Sequence, residues 1–158
     1  MTLDELLARE AIRATMAKAA QSGDSLRAED YADCFTEDAT LQSERAPGDF
    51  VFRYQGRPAI LAWQNQWKAG APAKDVVRAA KFVRHNLATS KIELTGADSA
   101  RVRTYWTAWT DIGPDHCGVY MDEFRRVGED WLIALRRVKT EWMAAGSHFA
   151  AADPVARG

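Results

Sequence analysis

Asp24 and His85 lie far apart in the sequence, but their side chains can perform acid–base chemistry together if the fold brings them into contact. A carboxylate that bonds an imidazole holds the ring in one tautomer and stabilises its cation, so the ring can act as a general base. Each residue also has a simpler interpretation. Asp24 can cap a second helix, and His85, in the apolar stretch 81–87, can be an ordinary core histidine.

Aromatic residues supply further candidates for a binding site. The phenols of Tyr31, Tyr54 and Tyr120 can bind an oxygen that gains negative charge. Six tryptophans are many for this length, and indoles either fill a core or form the walls of a pocket for a flat ligand. Trp63 and Trp106 are the two that we expect to contact substrate.

Several polar residues are expected to have no role in chemistry. His116, beside a turn predicted at 112–115, and His148 are expected to be structural or exposed, and the cysteines Cys34 and Cys117 to be small buried hydrophobes. No metal-ligand spacing, phosphate loop or dinucleotide fingerprint occurs, so we expect neither a metal nor a cofactor. One charge cluster is expected to lie on solvated or interfacial faces: Asp122, Glu123, Arg125 and Arg126.

Composition limits the class of protein. The chain has 158 residues, which suits one domain, and its 21 basic and 22 acidic residues nearly balance. This balance argues against nucleic acid or a membrane surface as partner. No signal peptide or membrane-spanning apolar segment is visible, so we expect a cytoplasmic protein.

Hydrophobic periodicity predicts three helices and six strands. The helices are expected at 2–20, at 26–35 and from Gly56 to a stop at 70–72. The mostly polar residues 21–25 are expected to break the first helix. Two short strands are expected at 38–41 and 50–54, separated by a turn at 45–49. Four long antiparallel strands follow at 82–94, 100–111, 116–127 and 131–142. A bulge at 88–91 would place His85 and Ile92 on one face despite their opposite parity.

This order predicts an α+β domain over residues 1–143, followed by a tail at 144–158. The expected architecture is a curved, mixed but mostly antiparallel sheet wrapped over the three N-terminal helices. Such a cone leaves a space that is suited to a small ligand.

Three segments resemble the SnoaL-like branch of the NTF2-like superfamily. They are Phe35-Thr36-Glu37-Asp38-Ala39, Gly56-Arg57-Pro58-Ala59-Ile60, and the hairpin from Gly118 to Trp131 that contains Tyr120 and Asp122. The resemblance implies the NTF2-like cone. In similar members, such as scytalone dehydratase and lindane dehydrochlorinase, an Asp after the first helix and a His on the first long strand form a catalytic dyad. Asp24 and His85 occupy those motif positions. Tyr54 ends the short strand, which lies near the mouth of the cone in the similar dehydratase, so the resemblance makes it the preferred third catalytic candidate.

The resemblance implies cofactor-free dehydration, isomerisation or cyclisation of a small, largely apolar or aromatic organic molecule. Two alternatives stay open. The domain can be a non-catalytic ligand-binding or assembly protein, because this fold hosts both. It can also hydrolyse an epoxide, although no Asp-Arg-Asp set is evident. Tyr105 and Trp109 on one face of a strand and Trp106 on the other predict a homodimer or higher homo-oligomer.

Overall fold

The computed structural model describes residues 1–44, 51–68, 80–147 and 149, which form three helices and six strands. The helices are α1 (Leu3–Asp24), α2 (Ala28–Ala32) and α3 (Arg57–Lys68). The strands are β1 (Phe35–Ser43), β2 (Arg53–Gln55), β3 (Arg84–Gly96), β4 (Ser99–Thr110), β5 (Gly113–Val127) and β6 (Asp130–Met143). The predicted turn at 45–49, residue 50, the helix stop at 70–72 and His148 lie outside the described residues.

All six strands belong to one sheet, in the order β2-β1-β6-β5-β4-β3. Neighbouring strands are antiparallel except β1 and β6, which are parallel. Helix α1 packs on β3 and β6, and α3 packs on β1 and β2. Apolar side chains from both layers, including Ile12, Phe35, Ile60 and Ile133, form the core. The predicted α+β fold with a mixed, mostly antiparallel sheet is confirmed.

Helix α1 starts where the sequence predicts and ends four residues later than predicted. Thr2 and Glu5 form the expected capping box. The polar residues after position 20 were expected to break the helix, but the Ser22 hydroxyl donates to the Lys18 carbonyl at 2.6 Å. Because Ser22 bonds within the helix, it is accommodated there although it is buried. Asp24 is therefore the last residue of α1.

The alternative role of Asp24 as the cap of a second helix is not realised. The residue before α2 is Arg27, and it makes no side-chain capping bond. Helix α2 is also shorter than the predicted 26–35. The Ile133 backbone N–H donates to the Cys34 carbonyl at 2.9 Å, which draws the chain into the sheet at Phe35.

The predicted bulge in β3 is confirmed. Leu87 pairs with Trp106 while Ser90 pairs with Thr104, so β3 holds one extra residue between these pairs. His85, Leu87 and Ile92 are consequently buried or half-buried on one side, while Asn86 faces solvent.

A second bulge, in β5, corrects the prediction of a turn at 112–115. The strand begins at Gly113, and Ala108 pairs with His116 while Trp109 pairs with Pro114. Asp115 is the extra residue. Consecutive strand residues normally face opposite sides, but Asp115 and His116 are both buried because the bulge interrupts the alternation.

The charge cluster on β5 is only partly solvated. Arg125 and Arg126 are exposed as predicted. For Asp122 the prediction is wrong, because its buried carboxylate accepts from Arg136 Nε at 3.0 Å and Nη2 at 2.7 Å. This two-point pairing compensates for moving both charges out of water.

Cys34 is buried, Cys117 is half-buried, and both are free thiols. None of the described helices is long and apolar enough to cross a membrane.

Tyr105, Trp109 and Trp142 are 46%, 44% and 48% exposed. The homodimer stays a prediction, in which these exposed aromatic side chains would lie at the interface.

A third irregularity lies next to His116, between β5 and β6. Cys117 pairs with Trp142 while Gly118 pairs with Thr140, so β6 holds an extra residue. A Cβ at Gly118 would lie 1.9 Å from the Lys139 carbonyl oxygen. Only glycine permits this approach of the two backbones.

We predict that Gly118→Ala lowers the free energy of unfolding by about 2 kcal/mol or more, because two backbone segments must separate. Urea denaturation followed by circular dichroism measures this. Gly146→Ala is the matched control, since the nearest atom to its added Cβ is 4.0 Å away. Equal stability of the two variants would contradict the account of this bulge.

Candidate active site

Asp24 holds His85 at two points. Its Oδ1 lies 2.6 Å from His85 Nδ1, and its Oδ2 accepts the His85 backbone N–H at 2.7 Å. The Asp24 side chain is 7% exposed and the imidazole 25% exposed. An ionised carboxylate only accepts hydrogen bonds, so Nδ1 must carry the proton. The lone pair is then on Nε2, which can accept a proton from another molecule.

The contact arises because α1 and β3 match in length and run in opposite directions. Near the start of the helix, Arg9 Nη1 donates to the Ile92 carbonyl at 2.6 Å, and at its end Asp24 meets His85. From 9 to 24 a helix rises about 22 Å, and from 92 to 85 a strand spans about 23 Å. Gln64 of α3 also fixes the helix end by donating to the Gly23 carbonyl at 3.0 Å.

A second histidine lies beside the first. His85, Ala108 and His116 are paired in register across β3, β4 and β5. The methyl side chain of Ala108 leaves room between the two imidazoles, whose centroids are 6.1 Å apart at 84°. Trp106 contacts both rings, at 5.6 Å from His85 and 5.3 Å from His116.

Of the two alternatives predicted for His116, structural or exposed, the second is excluded, since the residue is 7% exposed and its ring lies beside that of His85. Strand alternation could not reveal this because the bulge at Asp115 alters the parity. The only available signal was the adjacent Asp-His pair. Asp115 Oδ1 lies 2.7 Å from His116 Nδ1.

Burial sets the charge of His116. Burial lowers its pKa below the usual histidine value, the hydrogen bond to Asp115 opposes this, and the nearby His85 lowers it further. We therefore expect a neutral imidazole at neutral pH, whose Nδ1–H donates a hydrogen bond to Asp115.

Aromatic rings form a continuous series of contacts from α2 to β5. The centroid distances between successive pairs are 6.0 Å (Tyr31–Trp63), 6.4 Å (Trp63–Trp67), 6.2 Å (Trp67–Phe149), 4.7 Å (Phe149–His116), 5.3 Å (His116–Trp106) and 5.2 Å (Trp106–Tyr120). Flat apolar surfaces thus run through the site.

The three candidate phenols differ in their surroundings. Arg136 lies 4.4 Å from the Tyr120 ring centroid. Its positive charge and a hydrogen bond also lower the pKa of the Tyr31 phenol, but burial outweighs them. Burial raises the pKa of Tyr31 to about 12 and that of Tyr120 above its usual value, so both keep their protons. Burial also raises the pKa of Tyr54, which contacts Phe52 and Trp63.

The structure thus brings four predicted site residues into one connected group: Asp24, His85, Trp106 and Tyr120. Tyr31, Tyr54 and Trp63 form an adjoining group. The catalytic and binding roles of all seven stay predictions. Among the described residues, no three His, Cys, Asp or Glu side chains are grouped so as to hold a metal ion.

Trp106 has an unpaired hydrogen-bond donor. Its indole N–H is buried and has no acceptor in the described part of the chain. Buried donors are normally paired, so this N–H is an unsatisfied polar group next to the rings of His85 and His116.

The chain belongs to the SnoaL-like domain family, whose model matches residues 4–137. That range includes Asp24, His85 and His116. No curated protein matches the sequence.

Solved structures with the same fold cover nearly the whole chain. A scytalone dehydratase-like protein from Novosphingobium aromaticivorans is 22% identical, with a TM-score of 0.74 over 100% of this chain and 99% of the other. Hexachlorocyclohexane dehydrochlorinase LinA-type3 from Novosphingobium barchaimii is 18% identical, with a TM-score of 0.71 over 95% and 99%. A protein of unknown function from Mycobacterium tuberculosis is 24% identical, with a TM-score of 0.70 over 95% and 82%. At these identities the similarity shows the fold alone.

Proposed function

We propose that this protein is an acid–base enzyme that removes a proton from a carbon atom of a small, largely apolar organic molecule. The observation that carries the proposal is the two-point hold of Asp24 on His85. It leaves Nε2 of a partly exposed imidazole as the accessible base.

The proposed reaction is an elimination or an isomerisation. His85 Nε2 takes the proton, and the C–H electron pair forms a carbon–carbon double bond. In an elimination the leaving group departs with its bonding pair, and the imidazolium returns its proton to that group or to water. In an isomerisation the same proton returns to a different carbon. Asp24 stabilises the imidazolium in both cases.

Two donors of the connected group can stabilise negative charge on a substrate oxygen. The Trp106 indole N–H is unpaired, and the Tyr120 phenol, which stacks on Trp106, keeps its proton. Arg136 behind Tyr120 adds positive potential. Buried donors that are already in place stabilise developing charge without having to reorganise. We keep Tyr54 as a candidate donor from the adjoining group.

The aromatic series supports a flat or apolar substrate. Two solved structures with this fold are named for a dehydration and a dehydrochlorination, and both reactions are eliminations. A non-catalytic binding protein would need the same aromatic surfaces but not the Asp24–His85 contact, which is why we favour the enzyme.

We predict that the protein exchanges a substrate proton with solvent deuterium or forms product with at least one of three probes. The probes are a cyclic β-hydroxy ketone, a cyclic β,γ-unsaturated ketone and hexachlorocyclohexane, and NMR in D₂O follows them. His85→Ala should lower the rate about 100-fold or more, since a positioned base contributes roughly that much.

Asn86→Ala is the matched control, because Asn86 is adjacent on β3 and faces solvent. It should retain the full rate. A His85→Ala rate near that of the unmodified protein would exclude the proposed base, and no reaction with any probe would favour the binding alternative.

We predict that Trp106→Phe, which keeps an aromatic ring but removes the N–H, lowers kcat/KM about tenfold through loss of one hydrogen bond. The ketone probes should be affected and hexachlorocyclohexane spared, because only a ketone places negative charge on oxygen. A uniform loss over all probes would show that Trp106 acts by packing instead.

A further inference from the structure

Ser147, in the segment after β6, reaches back to the second histidine. Its hydroxyl donates to Asp115 Oδ1 at 2.5 Å, the same oxygen that lies 2.7 Å from His116 Nδ1. The Ser147 side chain is buried, and Asp115 is completely so. This contact joins residues 32 positions apart.

The direction of each hydrogen bond in this network is defined. The Phe149 backbone N–H donates to the Ser147 oxygen at 3.0 Å, so the serine proton is free to go to Asp115. Thr110 repeats the pattern, since its oxygen accepts from Ile112 N–H at 3.4 Å and its hydroxyl donates to Asp115 Oδ2 at 3.1 Å. Asp115 therefore accepts from both hydroxyls, and from His116 Nδ1 as a third donor.

The same segment covers the imidazole. The Ala144 backbone N–H donates to the Asp115 carbonyl at 2.8 Å, and Ser147 N–H donates to the Ala144 carbonyl at 2.9 Å. These bonds bring the Phe149 ring to 4.7 Å from the His116 ring. The His116 side chain is 9% exposed, against 25% for that of His85.

We propose that Ser147 is a positioning residue: through Asp115 and the cover formed by Phe149, it keeps His116 neutral, with its Nε2 lone pair available beside His85. The catalytic consequence rests on the proposed function. A neutral His116 can accept a hydrogen bond from a substrate hydroxyl or a water. A charged His116 would oppose the protonation of His85, which its ring contacts at 6.1 Å.

Among the residues that the structure describes, few charges other than Asp115 act on His116. The titratable groups that face it are Asp115 on β5 and His85 on β3, with Asp24 of α1 behind His85. The described neighbours from β4, β6 and the C-terminal segment are uncharged: Trp106, Ala108, Met143 and Phe149.

Removal of the serine hydroxyl should change the charge of His116 in one direction. Asp115 would lose a donor and direct more of its negative charge to the imidazole, which favours the cation. The Phe149 N–H would lose its acceptor, so the Phe149 ring would cover the His116 imidazole less. A less buried imidazole takes up a positive charge more easily. Both effects raise the pKa of His116.

The test is an NMR titration of the His116 ring in the full chain. Ser147→Ala should raise its pKa toward the value of a free histidine, about 6.5. Ser147→Thr, which keeps the hydroxyl, should restore the native titration. Thr95→Ala is the control, because it removes a hydroxyl that bonds Ser99 at the exposed β3–β4 turn.

An unchanged His116 titration in folded Ser147→Ala would overturn the inference. If that variant does not fold, Ser147→Cys, with a weaker donor of similar size, decides by the same criterion. The titration needs no substrate, so its result is separate from the proposed function. In the deuterium-exchange assay, Ser147→Ala should retain activity with its acid limb moved to higher pH, whereas His85→Ala should lose activity at every pH.

Discussion

The Asp24 carboxylate is the contact on which both the fold and the proposed chemistry depend. It ends α1 and accepts both the backbone N–H and the ring Nδ1 of His85, so one side chain fixes the start of β3 and the orientation of the imidazole. Without it, a half-buried imidazole and a backbone donor at the strand start would lose their acceptor. Such losses cost about 1–3 kcal/mol each. The match in length between α1 and β3 keeps this contact in place.

Irregular pairing in the sheet is the second constraint. An extra residue in β3 lets His85 share a face with Ile92, and the extra residue Asp115 in β5 turns two consecutive side chains to the same side. A third irregularity at Gly118 brings β5 and β6 unusually close next to His116. Bulges orient individual side chains at a cost in regular pairing, and here they surround the two histidines. The group of His85, Trp106 and His116 therefore depends on departures from regular strand geometry.

Much of this arrangement could be predicted from the sequence, for identifiable reasons. The strand pattern of β3 reveals its bulge because its two halves carry buried residues of opposite parity, and that placed His85 correctly. The position of Asp24 required the fold, since polar residues before it suggested an earlier helix end. His116 and Asp115 were missed because Gly113 and Pro114 resemble a turn although they begin β5. The Asp122–Arg136 pair was missed because charged residues on a strand usually indicate solvent.

The tautomer of His85 tests the central claim directly. Long-range ¹H–¹⁵N NMR at neutral pH distinguishes a ring nitrogen that carries a proton from one that holds a lone pair. The account predicts a protonated Nδ1 and a free Nε2 in the unmodified protein, with loss of that preference in Asp24→Asn, whose amide can also donate to Nδ1. A proton on Nε2 in the unmodified protein would contradict it, because the nitrogen proposed to act as the base would then have no lone pair to accept a substrate proton.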